Sequence, residues 1–201
     1  MDNELEIEGK KLEIVKYAFD RFLEGGFHAT SMEAAVAGSG ISKRTLYKYF
    51  SSKEDLIEAV LCLYGANVVH ELFGPVEHIL DAREQIIEFF NARKFSDRML
   101  TRGCLGMNAA QEYVGKNEDI VRLGIKASSR GEEKFLELCK RAGYPEPRRL
   151  AKQLNLILQG ALALAHAADD VAPFLLARDA ATAILESAER AQAASAKTGH
   201  V

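Results

Sequence analysis

The stretch "TSMEAAVAGSGISKRTLYKYFSSKEDL", residues 30–56, decides how this chain is read. Gly38-Ser39-Gly40 interrupts it in the middle, so it cannot be one long helix. Before the break, Thr30 with Glu33 three residues on makes a capping-box pattern, which predicts a helix starting there. The helix is short, because the glycines follow at once. After the break, Ser42 is placed to cap a further short helix running to about Lys48. Ser51 with Glu54 repeats the capping-box pattern and opens a longer helix lined by Leu56, Val60, Leu61 and Tyr64.

Upstream, "KKLEIVKYAFDRFLEGG" (10–26) places Leu12, Val15, Phe19 and Phe22 at steps of three and four. That is the period of a buried helix face. Gly25-Gly26 ends it, as glycine does after a helix C-terminus. The first 55 residues therefore read helix, short helix, glycine turn, short helix. A glycine turn between two short helices is the helix-turn-helix signature. Leu46 and Phe50, four apart, are read as core of this small domain.

Charge is distributed unevenly. The chain has 201 residues and a formal net charge of -3. Yet residues 41–53 hold Lys43, Arg44, Lys48 and Lys53 with no acid, interleaved with Tyr47, Tyr49 and Phe50. A balanced molecule with one basic patch binds an anionic partner locally or not at all.

Downstream of Gly74-Pro75 only helical patterns appear, over about 78–95, 103–115, 118–142, 148–168 and 173–194. Pro147 and Pro173 fall where helices start, a position proline tolerates. "LNLILQGALALAHAA" and "FLLARDAATAILESAERA" are apolar around more than one face, and a second apolar face needs a second partner. A homodimer through these two C-terminal helices, about 148–194, is the expectation; a fully internal helix pair is the alternative. The small polar tail, 196–201, is expected to be flexible.

These residues resemble the N-terminal domain of TetR-family transcription regulators. That pattern runs Gly, x, Ser, x, x, Thr-Leu-Tyr, x, x, Phe, x, x, Lys, x, x, Leu. Gly40, Ser42, Thr45, Leu46, Tyr47, Phe50, Lys53 and Leu56 match it at fixed spacing. Where family members usually carry Ile-Ala and Ala-Gly, this chain has Ala35-Val36 and Ser39-Gly40. "RGCLGMNAAQEY" (102–113) looks like a segment of the ligand-binding half of such regulators.

The resemblance implies an all-α protein. Residues 1–55 would form the helix-turn-helix domain and 56–195 a larger helical ligand-binding and dimerisation domain. It implies a dimer on a palindromic double-stranded DNA operator, with the third helix in the major groove. Lys43, Arg44 and Thr45 would face bases. Arg44 paired bidentately with guanine would contribute roughly 1–3 kcal/mol of discrimination. Tyr47, Lys48 and Tyr49 would contact phosphates, Lys53 would hold one at the start of its helix, and Thr30 and Ser31 would do the same at theirs. The larger half would bind a small, partly apolar effector. Candidates are Phe89, Phe90, Met107, Asn108, Gln111, Tyr113, Phe135 and Gln159, each of which plain core packing also explains. Repression is the default action.

Other classes find little support. Cys62, Cys104 and Cys139 make no C-x-x-C pair, so no disulfide framework or zinc site is expected. His70 and His78 are separated by Gly74-Pro75, and no metal or cofactor is expected. A redox switch through Cys104 is the alternative regulator. An enzyme is not expected: a di-metal bundle needs Glu-x-x-His pairs, and the cluster Glu132, Glu133 and Glu137 contains no histidine. No continuous apolar run reaches the roughly 18–20 residues of a membrane span. The acidic start lacks the apolar stretch of a signal peptide, so a soluble, cytoplasmic protein is expected.

Overall fold

The structure, a computed structural model, describes residues 9–93 and 102–198. Every regular element among them is helical. The helices are α1 (Gly9–Gly25), α2 (Met32–Ala35), α3 (Lys43–Tyr49), α4 (Lys53–Phe73), α5 (Ala82–Arg93), α6 (Leu105–Tyr113), α7 (Glu118–Arg141), α8 (Pro147–Ala168) and α9 (Ala172–Thr198). They fall into two compact units. One takes the chain up to Val68 together with Leu105–Ser128; the other takes Val69–Cys104 and the chain from Ser129 onward. The divisions fall inside α4 and inside α7.

This differs from a boundary at residue 55. The first unit holds α6 and the start of α7 as well as the helix-turn-helix, and specific contacts explain why. The Glu112 carboxylate of α6 accepts the backbone amides of Phe27 and His28, at 3.0 and 2.6 Å. The α6–α7 crossing is close because both helices carry glycine there. A Cβ on Gly106 would stand 2.5 Å from the Gly124 carbonyl oxygen. The core of this unit is built from Ile14, Val15, Ala18 and Phe22 of α1, Leu46 of α3, Phe50, and Leu56, Ile57, Val60 and Leu61 of α4. Leu12 and Phe19, expected in the buried face, are only partly covered. Val15 and Phe22 are buried as expected, and Ile14 and Ala18 complete the buried face in place of Leu12 and Phe19.

The caps also shift by one residue. Ser31, not Thr30, caps α2, its hydroxyl accepting from Ala34 N at 3.1 Å. At α4 the reciprocal pair is Ser52 and Asp55, not Ser51 and Glu54. Asp55 N donates to Ser52 Oγ at 3.0 Å, and Ser52 N donates to Asp55 Oδ2 at 3.2 Å. Between α2 and α3 the chain turns at Gly38 and Gly40, with φ of +82° and +75°, values that disfavour any residue with a Cβ. Ser39 tightens the turn, donating from Oγ to the Val36 carbonyl at 2.6 Å and accepting from Ile41 N at 3.1 Å.

In the second unit Phe73, Phe89, Phe90 and Phe135 are fully buried and pack ring on ring, with centroids 4.3–5.9 Å apart. α9 packs along α5 and α8. The pattern over 78–95 predicts helix from residue 78, but residues 78–81 are not helical, because a 3-10 turn at Gly74–Val76 precedes them and Asp81 starts α5 by accepting from Glu84 N at 2.7 Å. Residues 94–95 of that expectation, and 199–201 of the expected tail, lie outside the described residues. Residues 196–198 are the last turn of α9, not tail. α8 and α9 bury Leu150, Leu154, Leu158, Phe174 and Leu185, while Leu156, Leu164 and Leu176 stand 72%, 62% and 73% exposed. Lys53–Val76 is long and apolar enough, by length and composition, to cross a membrane, although charged and polar residues interrupt it. Half of its apolar window is buried inside the protein, as in a core helix.

Candidate nucleic-acid interface

α3 has seven residues, and only Leu46 is buried. Ser42 caps it, accepting from Thr45 N at 3.1 Å, and its hydroxyl also meets Thr45 Oγ1 at 2.8 Å. One buried leucine and a capped first turn fix the helix, and four of its seven residues are left exposed. Lys43, Arg44, Tyr47 and Lys48 are all exposed on it. No acid among the described residues pairs with Arg44. The Lys48 ammonium lies 5.5 Å from the Tyr49 ring centroid.

Of the expected contact residues, Ser31, Lys43, Arg44, Tyr47 and Lys48 are exposed, and Thr45 and Tyr49 are partly so. Two are placed otherwise than expected. Thr30 is buried, with its hydroxyl against α1, where a Cβ on Gly25 would come within 2.8 Å of it. Lys53 is partly covered and donates to the His28 carbonyl at 3.3 Å. An ammonium has three donors, so this bond leaves others for an incoming phosphate.

The sequence reading missed Glu33. It was assigned to a cap, but its carboxylate reaches across the glycine turn to α3. Glu33 Oε1 accepts from Lys43 Nζ at 2.8 Å and from Tyr47 OH at 3.1 Å. The Lys43 hydrogen bond is the main reason that the Glu33 carboxyl is held below its ordinary range. The same bonds push the Lys43 ammonium and the Tyr47 phenol up. The pairing was not visible in the sequence because the partners lie ten and fourteen residues apart on different helices.

The effector candidates separate between the units. Met107, Asn108, Gln111 and Tyr113 belong to the first, Phe89, Phe90, Phe135 and Gln159 to the second. Phe89, Phe90 and Phe135 fill one another's space in the aromatic cluster. Tyr113 packs on Phe27 and His28, and burial pushes its phenol up to about 12. Gln111 is exposed. None of the eight lines the cleft of about 500 Å³ beside Tyr144, Arg149, Gln153 and Ser187 in the second unit. Also in the second unit, Asn155 Oδ1 of α8 is buried without a hydrogen-bond partner, next to Gly131 of α7. Cys104 is 5% exposed.

A capped, basic, solvent-facing helix set behind a glycine turn and a four-residue helix defines a helix-turn-helix protein. Residues 14–60 match the family model for bacterial regulatory proteins of the tetR family. Over those residues the chain carries the DNA-binding domain of that family. It is 33% identical over 103 residues to the HTH-type transcriptional regulator UidR of Escherichia coli K12, covering 50% of this chain and 53% of that protein. It is 44% identical over 55 residues to the HTH-type transcriptional regulator RutR of the same strain, 27% of this chain and 26% of RutR. The matches thus span about half the length, or less, of these curated relatives. Among solved structures, a TetR transcriptional regulator from Chloroflexus aurantiacus superposes with a TM-score of 0.73 at 25% identity, over 87% of this chain and 93% of that one.

Proposed function

We propose that the chain is a ligand-responsive transcription regulator, a repressor, that binds a palindromic DNA operator as a homodimer. The observation that carries this reading is α3, whose Arg44, Tyr47 and Lys48 face solvent together on a helix held by a single buried leucine. Phosphate contacts from such a face supply affinity, and an untethered arginine supplies base readout. Dimerisation through α8 and α9 is supported by Leu156, Leu164 and Leu176, large apolar side chains that a lone chain leaves in water. A small, partly apolar effector binds in the larger unit, where the orphan Asn155 acceptor offers one polar anchor. An effector that favours one conformation of the head shifts operator affinity, and coupling of about 1–3 kcal/mol is enough.

Selection of binding sites from a random duplex pool tests the reading. Enrichment of one palindrome supports it, and the winning duplex then serves to screen effectors by release. A folded protein that enriches nothing, with or without candidate effectors, overturns it.

A further inference from the structure

We propose that Glu33 is a positioning residue of the recognition face: it holds Lys43 and Tyr47 as a preformed pair and keeps the Lys43 ammonium from seeking phosphate on any sequence. The inference rests on the DNA-binding reading above. One carboxylate oxygen takes both donors, Lys43 Nζ at 2.8 Å and Tyr47 OH at 3.1 Å. The same ammonium lies 5.6 Å from the Tyr47 ring centroid. The three side chains close a triangle that ties α2 to α3 across the glycine turn.

Stability does not account for this triangle. Its members are at least partly exposed, and exposed ion pairs add little to folding. Its position does matter. Residues 41–53 contain four basic residues and no acid, and the fold brings Glu33 onto that surface from outside the segment. A free lysine is a point charge on a flexible stem and pairs with whatever phosphate is near. Contacts of that kind supply essentially all of non-specific binding. With its ammonium on Glu33, Lys43 joins a phosphate only if the phosphate displaces a carboxylate and then remains beside its negative charge. Arg44, the next residue, has no such tether and stays available to base edges. A head on random DNA is free to shift register toward every reachable phosphate, whereas base contacts fix the register on the operator. Tethering Lys43 therefore weakens random binding more than operator binding.

The test uses the full chain, the selected duplex and a scrambled duplex of equal length, with affinity measured against salt. Glu33→Gln keeps the side-chain shape and an acceptor for Tyr47 but removes the charge. Freeing one lysine steepens the log–log salt dependence on scrambled DNA by about 0.9, so its gain over wild type at 50 mM salt exceeds that at 200 mM by ~3.5-fold. The preference for the selected duplex falls. The added steepness disappears in Glu33→Gln/Lys43→Ala, because it acts through Lys43. Glu33→Ala, a second variant that suits a helix, shows the same steepening. An unchanged slope in both folded single variants overturns the inference while leaving the DNA-binding reading intact. So does a steepening that survives the loss of Lys43. A wild-type chain that shows neither salt dependence nor preference between the duplexes removes the DNA-binding reading, and this inference with it.

Discussion

Glu112 grips His28 at two points: its carboxylate accepts the His28 backbone amide at 2.6 Å, and its carbonyl oxygen lies 2.8 Å from the His28 ring Nε2. The Phe27 amide joins the same carboxylate at 3.0 Å. These amides lie in the non-helical segment after α1, where no helix ladder supplies acceptors and each N–H needs one from elsewhere. A residue far away in sequence supplies them and fixes the approach to α2. Glu112→Ala leaves both amides without that acceptor. Hydrogen bonds to charged groups are worth about 1.5–3 kcal/mol, and partial exposure reduces this, so a loss of about 1–2 kcal/mol is expected. The midpoint of urea unfolding reads it.

The glycine crossing of α6 and α7 makes a sharper prediction. A Cβ on Gly106 meets the Gly124 carbonyl oxygen at 2.5 Å and Ser128 Oγ at 2.6 Å. The first obstacle is backbone and cannot rotate away. Gly106→Ala therefore destabilises by about 1–3 kcal/mol despite its better helix propensity. Gly65→Ala is the control: its Cβ site lies 3.4 Å from the Ala127 Cβ, an ordinary contact, so most of the gain in helix propensity, about 1 kcal/mol, is retained. Thermal melts that ranked the two variants the other way would refute the close crossing.

Asp55 gives a pH prediction. Its carboxyl is held below the model-compound value of 3.8, first by the Ser51 hydroxyl and also by Ser52. A depressed folded pKa contributes stability that is present above the unfolded pKa and is lost as pH falls through the folded value. Asp55→Asn should thus lower stability at neutral pH by about 1 kcal/mol, in the range of helix caps. The difference from wild type should shrink as pH drops below the ordinary aspartate range. Denaturant titrations at pH 7 and pH 3 measure it, and a difference that grew toward pH 3 would contradict the assignment.

Cys104 is buried, Cys62 is partly covered, and burial pushes the Cys62 thiol up and the Cys139 thiol up to about 12. Thiolate, not thiol, reacts with peroxide. Operator affinity is therefore expected to be unchanged by brief peroxide treatment, in wild type and in Cys104→Ser alike. A peroxide response that Cys104→Ser abolished would establish the redox alternative.

Much of the helix-turn-helix was legible because its signals are local. Ser42 caps the helix that it precedes, Gly40 adopts the conformation that only glycine takes easily, and Leu46 and Phe50 are buried as their spacing requires. What escaped was non-local. The Glu33–Lys43–Tyr47 triangle spans two helices, and Glu112 reaches residues more than eighty positions away. Capping boxes at adjacent serines, Thr30 or Ser31 and Ser51 or Ser52, look alike in sequence; packing chose between them. The effector candidates were selected by residue type, and residue type does not distinguish a pocket from a filled core. Phe89, Phe90 and Phe135 show the second outcome.

DNA reading by α3 is the property on which the proposed function depends. The most direct measurement is the affinity of wild type and of Arg44→Ala for the selected palindrome, each against salt. Steep salt dependence is expected for both proteins. Arg44→Ala is expected to weaken palindrome binding by about 1–3 kcal/mol while binding to scrambled DNA falls much less. Equal palindrome affinity for the two folded proteins, or equal losses on both duplexes, would contradict it.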